Sequence, residues 1–199
     1  GQIKSLADFV ITFIGFTVLL PILVVAAIAI KLDSKGPVFY RPQVVGKNGR
    51  LYTMFKFRSM ITGASKSLHK DYVTSLIKGE IRQEEPDQPL KITDDPRITK
   101  VGDILRKTSM DELPQLINVL KGDMSLVGPR PCLTYEYEVY KDWHKKRTTV
   151  KPGITGLWQV VGRSEVTFED MILLDLYYIY NRSIELDFNI LIETVFVVL

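Results

Sequence analysis

One apolar stretch stands out from the mixture of polar and hydrophobic positions along this chain. It begins at Phe9, ends at Ile30, and contains no charged residue. A helix of this length is roughly 33 Å long at about 1.5 Å per residue, which matches the hydrocarbon core of a bilayer. Lys4 precedes the stretch and several basic residues follow it, so the rest of the chain is expected on the cytoplasmic side. The pattern predicts a membrane helix within residues 1–32 and a cytoplasmic, membrane-associated domain at residues 33–199.

Pro21 lies near the middle of the apolar stretch. Proline removes one backbone hydrogen bond and clashes with the preceding turn, so a kink is expected there. Two arrangements follow from this pattern. A straight helix would span the bilayer and leave residues 1–8 outside, whereas a kinked, re-entrant helix would return both of its ends to one face.

The segment after the apolar stretch combines β-prone runs with turn signals. Val38–Tyr40 and Leu51–Phe57 contain β-branched and aromatic residues, and Lys47-Asn48-Gly49 lies between them. This pattern predicts a β-hairpin. Residues 66–81 are predicted to be helical, and a polar, proline-containing loop follows them.

The second half of the chain is predicted to be mostly helical. A short helix holds Ile104 to Arg106, and another begins near Asp111. Residues 133–147 place aromatic residues against a Lys/Arg face, which suits a helix at a membrane interface or, equally, an ordinary surface helix. Helices are also expected at 168–180 and 187–199. The fold class is therefore α+β: a helix-rich single domain with a small β-hairpin or sheet, anchored by the Pro-kinked membrane helix and interfacial amphipathic helices.

Composition excludes several classes of protein. The chain has 199 residues with 46% hydrophobic and 25% charged residues, so it is not disordered. A net charge of +3 is too small to indicate nucleic-acid binding. The single cysteine, Cys132, allows no internal disulfide, and the two histidines, His69 and His144, are far apart in sequence. A zinc site is therefore not expected.

Two neighbouring carboxylates, Asp111 and Glu112, form the main candidate for chemistry. Proline is tolerated in the first turn of a helix, so Pro114 indicates that a helix begins close to them. An N-cap at Asp111 places Pro114 at the third helical position. An N-cap at Ser109 would form a capping box but place Pro114 deeper in the helix. Because an interior proline costs about 3 kcal/mol and a capping box contributes about 1, we expect Asp111 to be the N-cap.

An acid pair at a helix N-terminus suits phosphate chemistry, because the positive end of the helix dipole attracts anions. One carboxylate would hold Mg²⁺ and the other would attack phosphorus. Such a site also needs cations for the phosphate charge. The candidate cations are Lys56, Arg58, Arg97, Arg106, Arg130 and Arg163.

The chain resembles the bacterial sugar transferase family, the monotopic phosphoglycosyl transferases. The resemblance extends from the proline-containing apolar helix to "ELDFNILIET". Its motifs are "GPVFYRPQVVGKNG", "FKFRSM", "DDPRITKVGDILRKTSMDELPQLINVLKGDMSLVGPRP" and "KPGITGLWQVVGR". In this family the apolar helix is re-entrant and often broken at a Ser-Pro pair, which here is Leu20-Pro21.

The resemblance implies a specific activity. The family transfers a sugar-1-phosphate from a UDP-sugar to polyprenol (undecaprenol) phosphate at the cytoplasmic face of the bacterial inner membrane, with release of UMP. It implies that Asp111 is the nucleophile, that Glu112 is the Mg²⁺-associated residue, and that Asp187 is a further acidic site residue. An N-cap of the last helix is an equally good role for Asp187. The basic residues expected to bind the phosphates and the nucleotide are Lys56, Arg58, Arg106, Arg130 and Arg163.

Two other functions fit parts of the sequence. A metal-dependent glycosyltransferase would use Asp94-Asp95 to hold the diphosphate and would release UDP rather than UMP. We favour an Asx turn before Pro96 for these two residues. A non-enzymatic membrane anchor would bind neither nucleotide sugar nor Mg²⁺. The transferred sugar and homo-oligomerisation stay open.

Overall fold

A computed structural model describes residues 2–65, 67–80, 95–161 and 166–198. Helices dominate the described residues, as the sequence pattern predicts. They are α1 (Gln2–Asp33), α2 (Ser67–Lys78), α3 (Lys100–Lys107), α4 (Leu116–Leu120), α5 (Thr134–Glu138), α6 (Asp142–Lys145), α7 (Leu157–Val161), α8 (Phe168–Tyr180) and α9 (Ile184–Val198). Short 3₁₀ helices occur at Lys47–Gly49, Met110–Gln115 and Lys146–Thr149.

The strands are short and form three small sheets. Two antiparallel strands pair as β1–β4, three antiparallel strands are ordered β3–β2–β6, and β5 pairs with β7 in parallel. Their bounds are β1 (Phe39–Tyr40), β2 (Gln43–Val45), β3 (Leu51–Thr53), β4 (Lys56–Phe57), β5 (Ser125–Val127), β6 (Cys132–Leu133) and β7 (Gly153–Thr155).

The predicted hairpin is confirmed. Strands β2 and β3 pair with Val45 opposite Leu51, and β1 and β4 pair farther from the turn as a separate two-stranded sheet. The turn between β2 and β3 takes positive φ at Asn48 (56°) and Gly49 (77°). Asn and Gly adopt this left-handed conformation at low cost, which is why this sequence forms a tight turn here.

The apolar stretch forms α1, which is long and apolar enough to cross a membrane. The helix is continuous through Pro21, and the re-entrant kink therefore stays a prediction. One side of α1 is buried against β4 and α3 through Leu23, Ala26 and Ile30. Only 17% of its most apolar window is buried, so most of its hydrophobic surface faces outward.

Both ends of α1 are attached to the globular domain. Near the first turn, Lys4 Nζ lies 2.6 Å from Asp187 Oδ2, and Ser125 Oγ donates to Asp8 Oδ2 at 2.7 Å. At the other end, Asp33 Oδ2 accepts a hydrogen bond from the backbone N–H of Val101 at 3.1 Å. The two ends of the apolar helix are thus held by the same body.

The single helix predicted at residues 133–147 is wrong. The chain forms α5 and α6 there, separated by extended backbone at Lys141. The aromatic face assigned to a membrane interface packs inward instead, since the rings of Tyr140 and His144 contact Phe168 of α8. Arg147, expected among the surface charges, is 2% exposed. Helical spacing identified the side that is buried, but the buried polar groups need partners that one straight helix would not reach.

The C-terminal helices agree with the sequence prediction. Helix α8 covers residues 168–180, and α9 covers the last apolar segment. The α8 side chains Met171 and Ile172 are fully buried beside Val73 of α2. A second cluster joins α4, β5 and α9 around Met124, which is 1% exposed. These clusters fix the sheets and short helices that carry the polar residues described below.

Candidate active site

The acid pair lies in the first turn of the 3₁₀ helix Met110–Gln115. The prediction that both carboxylates occupy a helix start is therefore confirmed, but Asp111 is not its N-cap. Ser109 directly precedes the helix. Its φ of 55° is left-handed, a conformation that does not continue α3, and its side chain makes no capping hydrogen bond. Pro114 is tolerated because this turn is 3₁₀ and the α-helical part begins only at Leu116.

The short 3₁₀ turn changes the electrostatic argument for the site. A helix dipole grows with the number of aligned peptide groups. A turn as short as this one therefore attracts an anion only weakly. The positive charge comes from Lys56 of β4 instead, whose Nζ lies 2.7 Å from Glu112 Oε1. The Lys56 and Glu112 side chains are 24% and 30% exposed, so a ligand can reach the pair from solvent.

The acid pair is suited to Mg²⁺ that arrives with a phosphorylated substrate. Mg²⁺ is usually held by one or two carboxylates, with phosphate and water oxygens completing its octahedron. Asp111 and Glu112 are both partly exposed and offer such oxygen ligands. Within the described residues, no group of three or more His, Cys, Asp or Glu side chains could hold a metal. Two partly exposed carboxylates match the protein ligands that Mg²⁺ takes when phosphate and water oxygens supply the rest of its coordination.

Arg58 is predicted to bind phosphate, but its side chain is buried and binds backbone carbonyls instead. Its residue is 6% exposed, and its guanidinium nitrogens donate to the carbonyls of Ile30, Ser34 and Lys35 at 2.7 to 3.4 Å. These are carbonyls at and just beyond the last turn of α1, where helix carbonyls lack helical partners. Arg58 thus fixes the end of α1 to the strand that carries Lys56.

Arg106 lies on α3, immediately before the acid pair. It is partly buried, and its charge contributes to lowering the pKa of Asp95. The larger cause of that lowered pKa is the hydrogen bond from Arg97. Asp95 Oδ1 also accepts from the backbone N–H of Arg97 at 3.0 Å, which is the predicted Asx turn. Because Asp95 is used in this turn and ion pair, it is poorly placed to serve the alternative diphosphate-metal site.

Helix α3 approaches the "FKFRS" segment closely because residue 102 is glycine. A Cβ at Gly102 would lie 2.0 Å from the carbonyl oxygen of Ser59. The same end of α3 is capped by Thr99, whose hydroxyl accepts from the Gly102 N–H at 3.0 Å. This contact brings the helix that leads into Asp111 against the strand that carries Lys56.

Arg130 is held at the surface by a buried acid. Its Nη1 lies 3.1 Å from Oε2 of Glu136, which is completely buried, while the Arg130 side chain is 25% exposed. Burial opposes the charge of Arg130, but the attraction of Glu136 prevails and raises the pKa of Arg130.

Two tyrosines, Tyr40 and Tyr135, adjoin residues of the candidate site. Burial raises the pKa of Tyr135, and the charges of Glu136 and Arg130 and the phenol of Tyr40 also act on it. Tyr40 is the β-sheet partner of Lys56, which contacts Glu112. Strand pairing therefore places Tyr40 next to Lys56, and the sequence places Tyr135 next to Glu136, the partner of Arg130.

Asp187 is not the N-cap of the last helix. Ser183 fills that role, with its hydroxyl accepting from the Leu186 N–H at 3.0 Å. Asp187 accepts from Lys4 and from the hydroxyl of Tyr178, each at 2.6 Å. It therefore joins α1, α8 and α9, and these contacts give it a structural role. Arg163 and Asp94 lie outside the described residues.

Sequence reasoning missed a buried charge network behind Arg130. Arg147 donates to Asp175, to the Tyr140 hydroxyl at 3.0 Å and to the carbonyl of Arg130 at 3.1 Å. Arg147 and Asp175 are each 1% exposed at their side chains. A signal existed in the sequence, because Asp175 is the one charged residue within "MILLDLYYIY". A lone carboxylate inside an apolar helix indicates a buried cationic partner.

Comparison of the sequence with known proteins identifies the family of this chain. The whole chain, residues 1–199, matches the family model described as Bacterial sugar transferase. The galactosyl transferase CpsE of Streptococcus agalactiae serotype III (strain NEM316) is 47% identical over 165 residues, 82% of this chain and 35% of that relative. The undecaprenyl-phosphate galactose phosphotransferase of Salmonella typhimurium is 41% identical over 197 residues, 99% of this chain and 40% of that relative.

A shorter relative matches over most of its own length. The exopolysaccharide production protein ExoY of Sinorhizobium fredii (strain NBRC 101917 / NGR234) is 34% identical over 195 residues, 98% of this chain and 84% of that relative. This chain belongs to the bacterial sugar transferase family. It spans 35% and 40% of the two longer relatives, so it corresponds to one part of those proteins.

Proposed function

We propose that this chain transfers a sugar-1-phosphate from a UDP-sugar to undecaprenol phosphate and releases UMP. The observation that carries the proposal is the Asp111–Glu112 pair, with Lys56 Nζ 2.7 Å from Glu112 Oε1. The chain that holds this pair matches the family model throughout. The names of relatives support the substrates, since one is an undecaprenyl-phosphate galactose phosphotransferase and another a UDP-glucose:undecaprenyl-phosphate glucose-1-phosphate transferase.

In the first step, an Oδ atom of Asp111 attacks the β-phosphorus of the UDP-sugar. A bond forms between this oxygen and phosphorus, and the bond from phosphorus to the bridging oxygen breaks. UMP leaves with the electron pair, and the sugar-phosphate stays on the aspartate as an acyl phosphate. The carboxylate needs no proton removed before it attacks, so the step requires no general base on the nucleophile.

In the second step, a phosphate oxygen of undecaprenol phosphate attacks the same phosphorus. The bond from phosphorus to Asp111 breaks, the carboxylate is regenerated, and the lipid carries a sugar diphosphate. Lys56 neutralises phosphate charge as it shifts between donor, aspartate and acceptor, and Arg130 neutralises charge on the donor's diphosphate in the first step. Mg²⁺, when bound at Glu112, would supply further charge neutralisation on the diphosphate.

A membrane-seated domain explains how a soluble donor meets a lipid acceptor. The described residues offer an apolar surface in addition to α1, since α9 exposes hydrophobic side chains at helical spacing. On α9 the exposed residues are Ile184, Phe188, Ile192, Val195 and Phe196. Helix α8 adds a second exposed stripe, consisting of Leu173, Tyr177 and Tyr180. We propose α8 and α9 as the interfacial helices, in place of residues 133–147.

The re-entrant form of α1 is favoured over a spanning one by its attachments. A straight helix over residues 2–33 would be roughly 46 Å long at about 1.5 Å per residue. If it spanned the bilayer, its first turn would lie on the opposite face from the domain. Lys4 instead contacts Asp187, while Asp33 contacts α3 at the other end. With basic residues flanking the helix, we place both ends and the domain on the cytoplasmic face of the inner membrane.

Identifying the nucleotide product tests the proposal. Purified protein is incubated with a panel of UDP-sugars, undecaprenol phosphate and Mg²⁺, and the released nucleotide is separated by chromatography. UMP formation that requires the lipid phosphate and stops on chelation of the metal is expected for one sugar or a few. Release of UDP would instead support the metal-dependent glycosyltransferase, and absence of nucleotide release would support the membrane anchor.

A further inference from the structure

We propose that Glu136 is a positioning residue that holds the guanidinium of Arg130 for the donor's phosphate. This inference rests on the proposed function, because it assigns Arg130 a substrate phosphate. It concerns a residue that lies six positions beyond Arg130 and carries no recognisable motif. Its support comes from the burial of Glu136 and from the contacts of both residues.

Glu136 has no exposed surface, yet it is an acid in contact with a cation. Its Oε2 accepts from Arg130 Nη1 and from the backbone N–H of Leu133, each at 3.1 Å. A buried carboxylate is costly unless it is paired and hydrogen-bonded, so this residue is held against a substantial desolvation penalty. The Leu133 N–H alone could be satisfied by a neutral acceptor, whereas a carboxylate also orients a guanidinium.

Arg130 is fixed at a second point as well. Its backbone carbonyl accepts from Nη2 of the buried Arg147 at 3.1 Å, and Arg147 is itself held by Asp175. Arg130 therefore has its main chain fixed from behind and one edge of its guanidinium fixed by Glu136. The remaining quarter of its side-chain surface is exposed.

An arginine prepared in this way binds phosphate with less loss of side-chain entropy. A free arginine gives up much of its rotamer freedom when it binds, and this cost is removed if the free protein already holds the side chain. The exposed part of the Arg130 side chain is therefore available to a phosphate, while Glu136 holds the guanidinium from the buried side.

The two half-reactions offer a way to test this role. With a covalent intermediate, kcat/KM for the UDP-sugar depends on the first half-reaction, and kcat/KM for undecaprenol phosphate depends on the second. Glu136→Gln keeps the shape and an acceptor for Leu133 but removes the charge. We expect kcat/KM for the UDP-sugar to fall about tenfold, the effect of one weakened charge-assisted contact. We expect kcat/KM for the lipid phosphate to change less than about twofold.

A double-mutant cycle separates positioning from a general structural effect. In an Arg130→Ala background, Glu136→Gln should cause no further loss in kcat/KM for the UDP-sugar, because the group that it orients is gone. The matched control is Glu169→Gln, which removes the same charge from an exposed ion pair with Lys141 at 3.0 Å. This control should leave both kcat/KM values unchanged.

Three results would overturn the inference. These are an unchanged kcat/KM for the UDP-sugar in Glu136→Gln, an equal fall for both substrates together with a lower Tm, and a full additional loss in the Arg130→Ala background. If Glu136→Gln does not fold, Glu136→Asp provides the same comparison, since it keeps the charge but shortens the reach to Arg130. A wild-type protein that releases no UMP would refute the proposed function itself, whereas UMP release with an insensitive Glu136 refutes only its positioning role.

Discussion

The ammonium of Lys56 lies 2.7 Å from Oε1 of Glu112, although the two residues are 56 positions apart in sequence. Strand β4 and the 3₁₀ helix Met110–Gln115 pack together, and this contact places a cation beside the acid pair without a helix dipole. The site therefore depends on tertiary packing between two motifs that are each short and irregular.

Removal of the Lys56 charge should reduce turnover strongly and stability only slightly. We expect Lys56→Gln to lower the rate of UMP release by about 10²–10³-fold, as for loss of a group that stabilises transition-state charge. Because both partners are partly exposed, the free energy of unfolding should change by less than about 1 kcal/mol. The rate is measured by nucleotide chromatography and the stability by denaturant titration.

Lys107→Gln is the matched control for Lys56. Lys107 forms an ion pair of the same 2.7 Å length with Asp103, but on the exposed side of α3. It should alter neither rate nor stability measurably. If Lys56→Gln lost no more activity than Lys107→Gln, the assignment of Lys56 to phosphate charge would be refuted.

Arg58 should behave as a structural residue. Arg58→Gln leaves carbonyls at the end of α1 without their donors, and we expect the free energy of unfolding to fall by about 2–4 kcal/mol. The folded fraction should keep the wild-type kcat/KM for the UDP-sugar. The comparison is Arg182→Gln, which removes a donor to the Ile179 carbonyl at an exposed helix end. A selective loss of kcat/KM in Arg58→Gln with unchanged stability would restore its predicted role as a phosphate ligand.

The attachments of α1 predict its membrane topology. Cysteines introduced at Gln2 and at Lys47 should react with a membrane-impermeant maleimide from the same side of sealed vesicles. Both positions are exposed in the fold, and the native Cys132 is buried, so labelling reports the introduced residues. Labelling from opposite sides would mean that α1 spans the bilayer. That result would contradict the Lys4–Asp187 contact and the re-entrant arrangement.

Gly102 should be intolerant of a side chain. In Gly102→Ala the new Cβ would clash with the Ser59 carbonyl, and α3 must shift away from the "FKFRS" segment. We expect a loss of about 1–3 kcal/mol in the free energy of unfolding together with lower activity. Gly15→Ala serves as the control, because a Cβ there meets nothing within 4 Å. Equal stabilities of the two variants would show that the close approach is unimportant.

Local patterns in the sequence predicted most of the fold. The turn residues Asn48 and Gly49 determined the hairpin, and helical spacing correctly placed α2, α8 and α9. The sequence also placed Asp111 and Glu112 at a helix start, because Pro114 restricts where a helix can begin. These features depend on backbone preferences within a few residues, so a single sequence is sufficient to reveal them.

The remaining features depend on contacts between distant segments. Three arginines appear as surface charges in the sequence, yet Arg58 supports α1, Arg147 is buried with Asp175, and Arg130 is held by Glu136. Each role is determined by a partner on another element. Residues 133–147 show the same limit, since their hydrophobic period identified a buried side but not the element that covers it.

Detection of the covalent intermediate shows directly whether Asp111 is the nucleophile. The protein is incubated with its UDP-sugar and Mg²⁺ in the absence of undecaprenol phosphate, digested, and analysed by mass spectrometry. We expect one equivalent of UMP, a sugar-phosphate adduct on Asp111, and loss of both in Asp111→Asn. An unmodified Asp111 in protein that turns over normally with both substrates, or wild-type rates in Asp111→Asn, would contradict this role of Asp111.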